Sequence, residues 1–585
     1  MPRNTQPVEI DLRSGVLTNE SLFQIGPRLW KSTNSVFGFR YPRVVGSATG
    51  PWMHRQPLIF ATRSTNSYTD MQSFRDLGFA NNATFPGARR AYPIGCNSSN
   101  QYAIWQDNGG SEINFAGGVT RVTIGTTKEL GCSVYWQTPG TDPNGGGATS
   151  DPVLIFGHPL ATHIYYLFDS ASAVRSLTTD TTNCPASASA MALHLDRLWI
   201  LTNYIGGAFS SGRSQVWYTD PFNLDTIRST SVVQLNDAGT CLIRGQFGAV
   251  DVSGVPHLIM GCRNSVYVLD GDPQLGGGLQ ADLRTLSVGV GIPNSHAAAV
   301  TPYGVYFMGT DGNLWFIPPG CQSMQPVGQP ILDRLGINNR TNAADDFDSS
   351  TQTPLASLCW FDPYLYIFPG GESTWCYIAE PLDARGGLRF WGPVTMHDTI
   401  TAREAVIRMP QEYFSLHATT SLAHQSMHSV DCLPVSGSTA RYLVCDTKSA
   451  PTGSYPDGTS TNRQASIQTG LINLPMHAIQ SLAVVLEVVK VPQISSADVD
   501  WTVTLTDERG NSVTGSRGLL TSGSVVPPPA AGTFGTAATG TLRYTFNHAP
   551  LVGARGISVT ITATKGSDLG LQRAFVEIRA VPAQQ

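Results

Sequence analysis

Between Leu198 and Tyr377 the chain repeats one pattern of apolar and polar positions: a short β-branched and aromatic run, a turn, and a second run carrying an aromatic. The first members are Leu198-Trp199-Ile200, Leu258-Ile259-Met260, Val305-Tyr306-Phe307 and Leu365-Tyr366-Ile367. Their partners are Val216-Trp217-Tyr218, Val266-Tyr267-Val268, Leu314-Trp315-Phe316 and Trp375-Cys376-Tyr377. Successive pairs are displaced by roughly 50 to 60 residues, the length of a four-stranded sheet plus a loop. One such sheet cannot bury both faces by itself, but copies packed around an axis cover one another. The pattern predicts an all-β chain built on a β-propeller.

The same grammar runs more loosely from Pro57 to about residue 190. Leu58-Ile59-Phe60, Tyr102-Ala103-Ile104-Trp105, Arg121-Val122-Thr123-Ile124, Ser133-Val134-Tyr135-Trp136, Val153-Leu154-Ile155-Phe156 and His163 to Phe168 are short strands between turn residues. They add two or three blades, and a ragged set from Phe390 to about residue 450 brings the expected total to about six to eight. The Gly-rich tip Asp142-Pro143-Asn144-Gly145-Gly146-Gly147 is expected to be mobile. Near Ala450 a Pro-, Gly- and Ser-rich linker intervenes, and beyond it runs such as Leu482 to Val489, Asp500 to Leu505, Thr541 to Phe546, Ile557 to Thr562 and Ala574 to Ile578 alternate apolar and polar residues. That alternation predicts a C-terminal β-sandwich. Residues 1–50 show little periodicity and read as an extended N-terminal arm whose Trp30, Phe37 and Phe39 must be buried either on the chain's own propeller or against a neighbour, the second being expected because the arm lacks strand periodicity. The expected domains are therefore an arm over 1–50, a propeller over 51–450 and a sandwich over 451–585.

Composition supports many short strands: 59 Gly and 38 Pro make turns abundant and long helices improbable. The charged fraction is 14%, well below the usual quarter, and the formal net charge is −5. No global electrostatic footprint for wrapping nucleic acid is present. Lys31, Lys128, Lys448, Lys490 and Lys565 are the only lysines, so nearly all positive charge is arginine. The 10 cysteines include no C-x-x-C pair and no metal-ligand spacing, and they read as scattered core thiols. The first residues lack an apolar signal region and no apolar run approaches a membrane span, so folding in a reducing cytosol is expected.

Candidate chemistry is dispersed. Asp345, Asp346 and Asp348 cluster in an Asn-rich loop, but the calcium-loop spacing with its central Gly is missing. Thr310-Asp311-Gly312-Asn313 faintly resembles a sialidase turn and reads better as a hairpin turn. His417, His424 and His428 share a segment, with His424 and His428 on one face if helical, but Gln425 stands where a metalloprotease needs Glu. Gly276-Gly277-Gly278 lacks the Lys of a phosphate cradle. No catalytic, cofactor-binding or metal residue is assigned, and no cofactor is expected.

One segment is more specific. Arg197-Leu198-Trp199-Ile200-Leu201-Thr202 leads to Gln215 through Asn223, with Val216-Trp217-Tyr218-Thr219-Asp220-Pro221 inside it, and then to Ala238-Gly239-Thr240-Cys241-Leu242-Ile243. This resembles the blade phrase of phage virion propellers, RLW followed by VWYSDP and a G-x-I strand. His257 to Asp270 and Gly304 to Pro318 match its next two strand pairs, and Gly386 to Trp391 is similar to a later strand end. Arg13 to Leu17 and Asn34 to Arg40 are similar to the family's opening, although Ile200-Leu201-Thr202 departs from its usual Phe and Ser. The family is the tail nozzle, or packaged-DNA stabilisation protein, of short-tailed bacteriophages.

The resemblance implies a structural virion subunit that is not an enzyme. Several copies, six in the family, would form a ring below portal and adaptor that retains packaged DNA and passes it at ejection. Partners would be its own copies, adaptor or portal-proximal proteins, tail fibres or spikes and, transiently, genomic DNA. Assembly would take place in the host cytoplasm and the destination is the virion tail. The alternatives are a carbohydrate-binding or carbohydrate-cleaving propeller that recognises host polysaccharide, and a fibre hub.

Overall fold

A computed structural model describes residues 5–33, 59–62, 71–81, 89–97, 101–104, 115, 122–123, 131–145, 147–171, 173–205, 208–210, 212–245, 257–272, 282–339, 356–361, 364–368, 375–383, 385–395, 413–415, 424–430, 442–446, 465–474, 479–490, 501–519, 539–547, 549–563 and 569–580. The described residues form seven four-stranded antiparallel sheets and a separate two-sheet sandwich.

The sheets are the blades of a propeller. Blade one is Met71–Asn81, Arg89–Asn97, Gln101–Ile104 and Val122–Thr123; blade two is Cys132–Trp136, Val153–Gly157, Tyr165–Phe168 and Arg175–Ser176. Blade three is Ala190–His194, Arg197–Thr202, Ser214–Tyr218 and Val232–Leu235. Blade four is Gly239–Gly245, His257–Cys262, Ser265–Asp270 and Asp282–Val288. Blade five is Ala298–Thr301, Gly304–Met308, Leu314–Ile317 and Gln325–Pro326, and blade six is Ser357–Phe361, Tyr364–Phe368, Trp375–Pro381 and Leu388–Thr395. From blade one through blade six the first strands of successive blades adjoin, so the first strand of each is the inner one.

The repeated apolar pairs of the sequence are the second and third strands of blades three to six. Those strands are central in their sheets and covered on both faces by neighbouring blades, so they read as continuous apolar runs. Blade seven is composite: Tyr413–Ser415, His424–Val430 and Tyr442–Asp446 are completed by Ile59–Thr62, which precedes blade one in the chain, Leu443 standing opposite Thr62 and Asp446 opposite Ile59. An outer strand taken from the chain's early part joins the last blade to the first by backbone hydrogen bonds.

The reading of residues 1–50 as a separate arm is corrected. Thr5–Glu9 pairs with Leu569–Ala580 on the edge of one sandwich sheet, whose order continues through Ile479–Lys490, Thr539–Phe546 and Ser516–Leu519. Asp11–Val16 and Arg28–Thr33 begin the second sheet, with Arg28–Thr33 pairing to Ala465–Thr469, followed by Gly556–Ala563, Trp501–Asp507 and Ser512–Thr514. Trp30 is half-buried on one of these strands, and Phe37 and Phe39 lie outside the described residues. Local periodicity misses these strands because Gly15 interrupts the alternation and their partners lie more than 400 residues away.

The sandwich shares one hydrophobic core with blade six. Leu12, Val16 and Leu29 join Leu482, Val503, Val559 and Val576 in a cluster that also holds Tyr364, Tyr366, Ile378 and Trp391 of the blade. Gly15, at φ +82°, lies so close to Phe390 that a Cβ there would stand 2.9 Å from its backbone N and O, and only glycine suits both demands. Thr18 also donates its backbone N–H to the Pro330 carbonyl at 2.8 Å.

A hairpin of the sandwich carries a tightly held carboxylate. Asp507 accepts from the Arg509 backbone N–H and Nε at 2.9 Å, from its Nη2 at 2.7 Å, and from the backbone and side-chain nitrogens of Asn511 at 2.8 and 2.9 Å. Burial pushes its pKa up, but these hydrogen bonds outweigh it and hold the group at about 2. The folded value lies below the unfolded one near 4, so the contribution is complete above about pH 4 and is lost as pH falls through about 2. Asp507→Ala is expected to cost about 1–3 kcal/mol at neutral pH by removing the carboxylate that ties Arg509 and Asn511 into the hairpin. Urea midpoints of the two proteins should converge by about pH 2, and a constant difference would reject the linkage.

Candidate functional site: the polar seam between blades three and four

The phrase from Arg197 to Pro221 has a physical basis in blade three. Cross-strand neighbours share a face of the sheet, and Trp199 stands opposite Tyr218, their rings stacked at 4.6 Å. Ala190 and Ala192 on the inner strand leave room for the indole, whose N–H donates to the His194 carbonyl at 3.0 Å. Leu198 N–H donates to Thr219 Oγ1 at 3.1 Å, and Arg197 Nη1 to the Thr219 carbonyl at 3.0 Å. The first arginine and the final Thr-Asp are thus clamped to each other across the hairpin. Blade four closes over this layer with Leu242, Leu258, Met260 and Leu269.

Above the apolar layer, at the end of the blades where first strand turns into second, ionisable groups converge. His194 and Arg197 are register partners across the two-residue turn Leu195-Asp196, and each is only 3% exposed. Both turn residues have positive φ, 52° and 53°. Asp tolerates this region but Leu does not, so Leu195 holds backbone strain of the order of 1–3 kcal/mol. Arg197 Nη2 reaches across the seam to the Asp272 carboxylate at 3.2 and 3.3 Å, Nη1 lies 3.9 Å from Asp220, and the guanidinium carbon sits 6.0 Å from the Tyr218 ring centre. Asp220 also pairs with Arg228 at 2.7 Å.

On blade four, His257 Nδ1 lies 2.6 Å from Asp270 Oδ1, so the imidazole proton sits on Nδ1 toward the carboxylate. The other oxygen of Asp270 accepts from Arg284 Nε at 2.5 Å. Asp270 and Asp272 are therefore both committed to cationic or imidazole partners. Neither stands free across an open gap, which is the disposition a two-carboxylate glycosidase needs. The Nε2 of His194 is buried and has no hydrogen-bond partner among the described residues. Burial, reinforced by Arg244 and His257 and opposed by Asp272, pushes its pKa down to about 4, so the imidazole is neutral at neutral pH.

The residues singled out in the sequence fall elsewhere. Asp345, Asp346, Asp348, His417 and Gly276 to Gly278 lie outside the described residues. His424 and His428 lie on a strand of blade seven, not on a helix. The helical reading rested on spacing alone, and strand pairing to Tyr442–Asp446 overrides it. Thr310 to Asn313 forms the turn between the second and third strands of blade five, with Asp311 accepting from the Asn313 N–H and the Trp315 indole N–H. The Gly-rich tip is tied into a small hairpin, where Asp142 N–H donates to the Gly147 carbonyl at 3.1 Å. Cys132, Cys241, Cys262, Cys321, Cys359 and Cys376 are buried, and burial pushes the Cys241 thiol up to about 12. Among the described residues no group of His, Cys, Asp or Glu is arranged to hold a metal ion, and no helix is long and apolar enough to cross a membrane.

The seam itself was not singled out as a site in the sequence. Its signal is the polar punctuation at strand ends, His194, Arg197, Asp220, His257, Asp270 and Asp272, which periodicity treats as turns.

No family model and no curated protein matches the chain. Among solved structures it is similar to the Dos1 propeller at 12% identity and TM-score 0.32, covering 61% of this chain and 75% of that one. It is similar to YCF48 from Cyanidioschyzon merolae at 9% identity and TM-score 0.33, covering 66% and 98%, and to Trypanosoma rangeli sialidase at 9% and 0.27, covering 99% and 97%. These likenesses concern the fold alone, an all-β propeller. They correct one expectation: because a sialidase stands among them, the exclusion of enzymatic activity is withdrawn. At that level of similarity they assign no activity either.

Proposed function

We infer that this chain is a structural component of a bacteriophage tail, one subunit of a multi-copy nozzle ring that extends the DNA channel below portal and adaptor. The observation that carries this reading is the blade phrase from Arg197 through Ile243, continued in His257 to Asp270 and Gly304 to Pro318. Two physical features are compatible with it. A conduit for DNA must release it, and a chain of net charge −5 with little lysine avoids the counterion-release affinity of a basic surface. A propeller and sandwich joined through one hydrophobic core resist shear better than two domains on a linker.

On this reading six copies close a cyclic ring with heterologous interfaces. The ring meets adaptor or portal-proximal proteins on one side and fibres or spikes on the other, with passing contact to genomic DNA. It assembles in the host cytoplasm and ends in the virion tail. Electron microscopy and peptide mapping of purified particles test the reading. The chain is expected in a ring below the portal, and particles made without it are expected to leak packaged DNA. Particles that lack the chain yet retain DNA and infect normally would sink the proposal.

A further inference from the structure

We propose that the seam between blades three and four is a proton-operated latch of the propeller ring, closed at neutral pH and released when the buried imidazole of His194 takes up a proton. The inference goes beyond the tail reading and does not depend on it.

The geometry of the seam supplies the argument. The charged groups that act on His194 are Arg244 from the inner strand of blade four, His257 from its second strand and Asp272 from beyond its third; Arg197, the register partner of His194, reaches Asp272, Asp220 and the Tyr218 ring, and Asp270 holds His257 and Arg284. Arg197, Arg228, Arg244 and Arg284 stand among Asp220, Asp270 and Asp272 in the seam, so a proton added to His194 adds to the positive charge already there. Nε2 of His194 has no protein acceptor waiting for a second proton. A protonated His194 would therefore be a buried, unpaired cation beside Arg244 and Arg197, the arrangement that burial penalises most.

Arg197, on the same hairpin as His194, ties that hairpin to blade four through Asp272. The strained Leu195-Asp196 turn adds a further bias toward opening, because it relaxes when His194 and Arg197 are no longer held. The sign follows from the neutral state of His194: its folded value near 4 lies below the unfolded value near 6.5, so stability falls as pH drops through this window. The seam between blades two and three is built differently, chiefly from Ile155, Tyr166, Met191, Leu198 and Ile200, and its apolar residues do not respond to pH.

Amide hydrogen exchange of the full chain between about pH 7.5 and 4, corrected for the intrinsic pH dependence, tests this directly. Peptides covering 190–202 and 257–270 are expected to gain exchange by about tenfold or more between about pH 6.5 and 4, while 298–317 of blade five stays protected. His194→Gln, which cannot take up the proton, is expected to move the midpoint of opening down by at least about half a pH unit. Opening of blade five at the same pH as the seam, seen in the unsubstituted protein, would mean ordinary acid unfolding and overturn the latch. An unshifted midpoint in the His194→Gln chain would overturn it as well.

Discussion

Removal of residues 1–33 is expected to abolish folding of the sandwich. The segment contributes three strands, and it buries Ile10, Leu12, Val16, Ile25 and Leu29. At about 1.5–3 kcal/mol for each fully buried side chain, the loss comes to roughly 8–15 kcal/mol, as large as the whole net stability of a typical domain. The deletion also uncovers Tyr364, Tyr366 and Trp391 on blade six, so the truncated chain is expected to melt many degrees lower and to bind hydrophobic dyes. This reverses what an arm docked on a neighbour would do, since such a truncation would leave the monomer's melting curve unchanged. Calorimetry of the two chains decides, and coincident curves would remove these strands from the fold.

The second large effect is expected at Trp199. Its indole is fully buried between the inner strand of blade three and blade four, stacked on Tyr218 and hydrogen-bonded to the His194 carbonyl. Trp199→Ala is expected to cost about 3–5 kcal/mol in urea unfolding, the range for deleting a large buried aromatic. Trp199→Phe keeps a ring but loses the indole N–H donor and should fall well short of that. A double-mutant cycle with Tyr218→Ala should show a coupling of about 0.5–1.5 kcal/mol for the stacked pair, and additive costs would mean that the two rings act independently.

How much of this was legible depends on where a strand sits in its sheet. The second and third strands of blades three to six are covered on both faces, and runs such as Leu198-Trp199-Ile200 or Val305-Tyr306-Phe307 announce themselves without any partner being known. Outer strands do not: Arg175–Ser176 and Gln325–Pro326 are two residues long, and Ile59–Thr62 belongs to a blade whose other strands lie more than 350 residues away. The strands at the beginning of the chain were missed for the same reason, since pairing such as Thr5 with Arg579 leaves no local trace. The seam was only half legible. The phrase containing Arg197 and Asp220 stood out, but its partner Asp272 lies 75 residues from Arg197, and only the stacking of one blade on the next brings them within 3.2 Å.

The composite blade and the shared sandwich also set a timetable for synthesis. Thr5 meets its partner Arg579 only when nearly the whole chain has left the ribosome, and Ile59 waits for Asp446. At about 5–20 residues per second, the first strands remain without partners for roughly half a minute to two minutes. Throughout that interval Leu12, Val16 and Leu29 have no core to enter, and the ring stands open at one gap with two exposed sheet edges. Middle blades built from neighbouring hairpins can form as they emerge, whereas both closures are non-local contacts of the slowest kind. The nascent chain is therefore most exposed to misassembly at its two seals, and the exposure ends only when Tyr442–Asp446 and Leu569–Ala580 have been made.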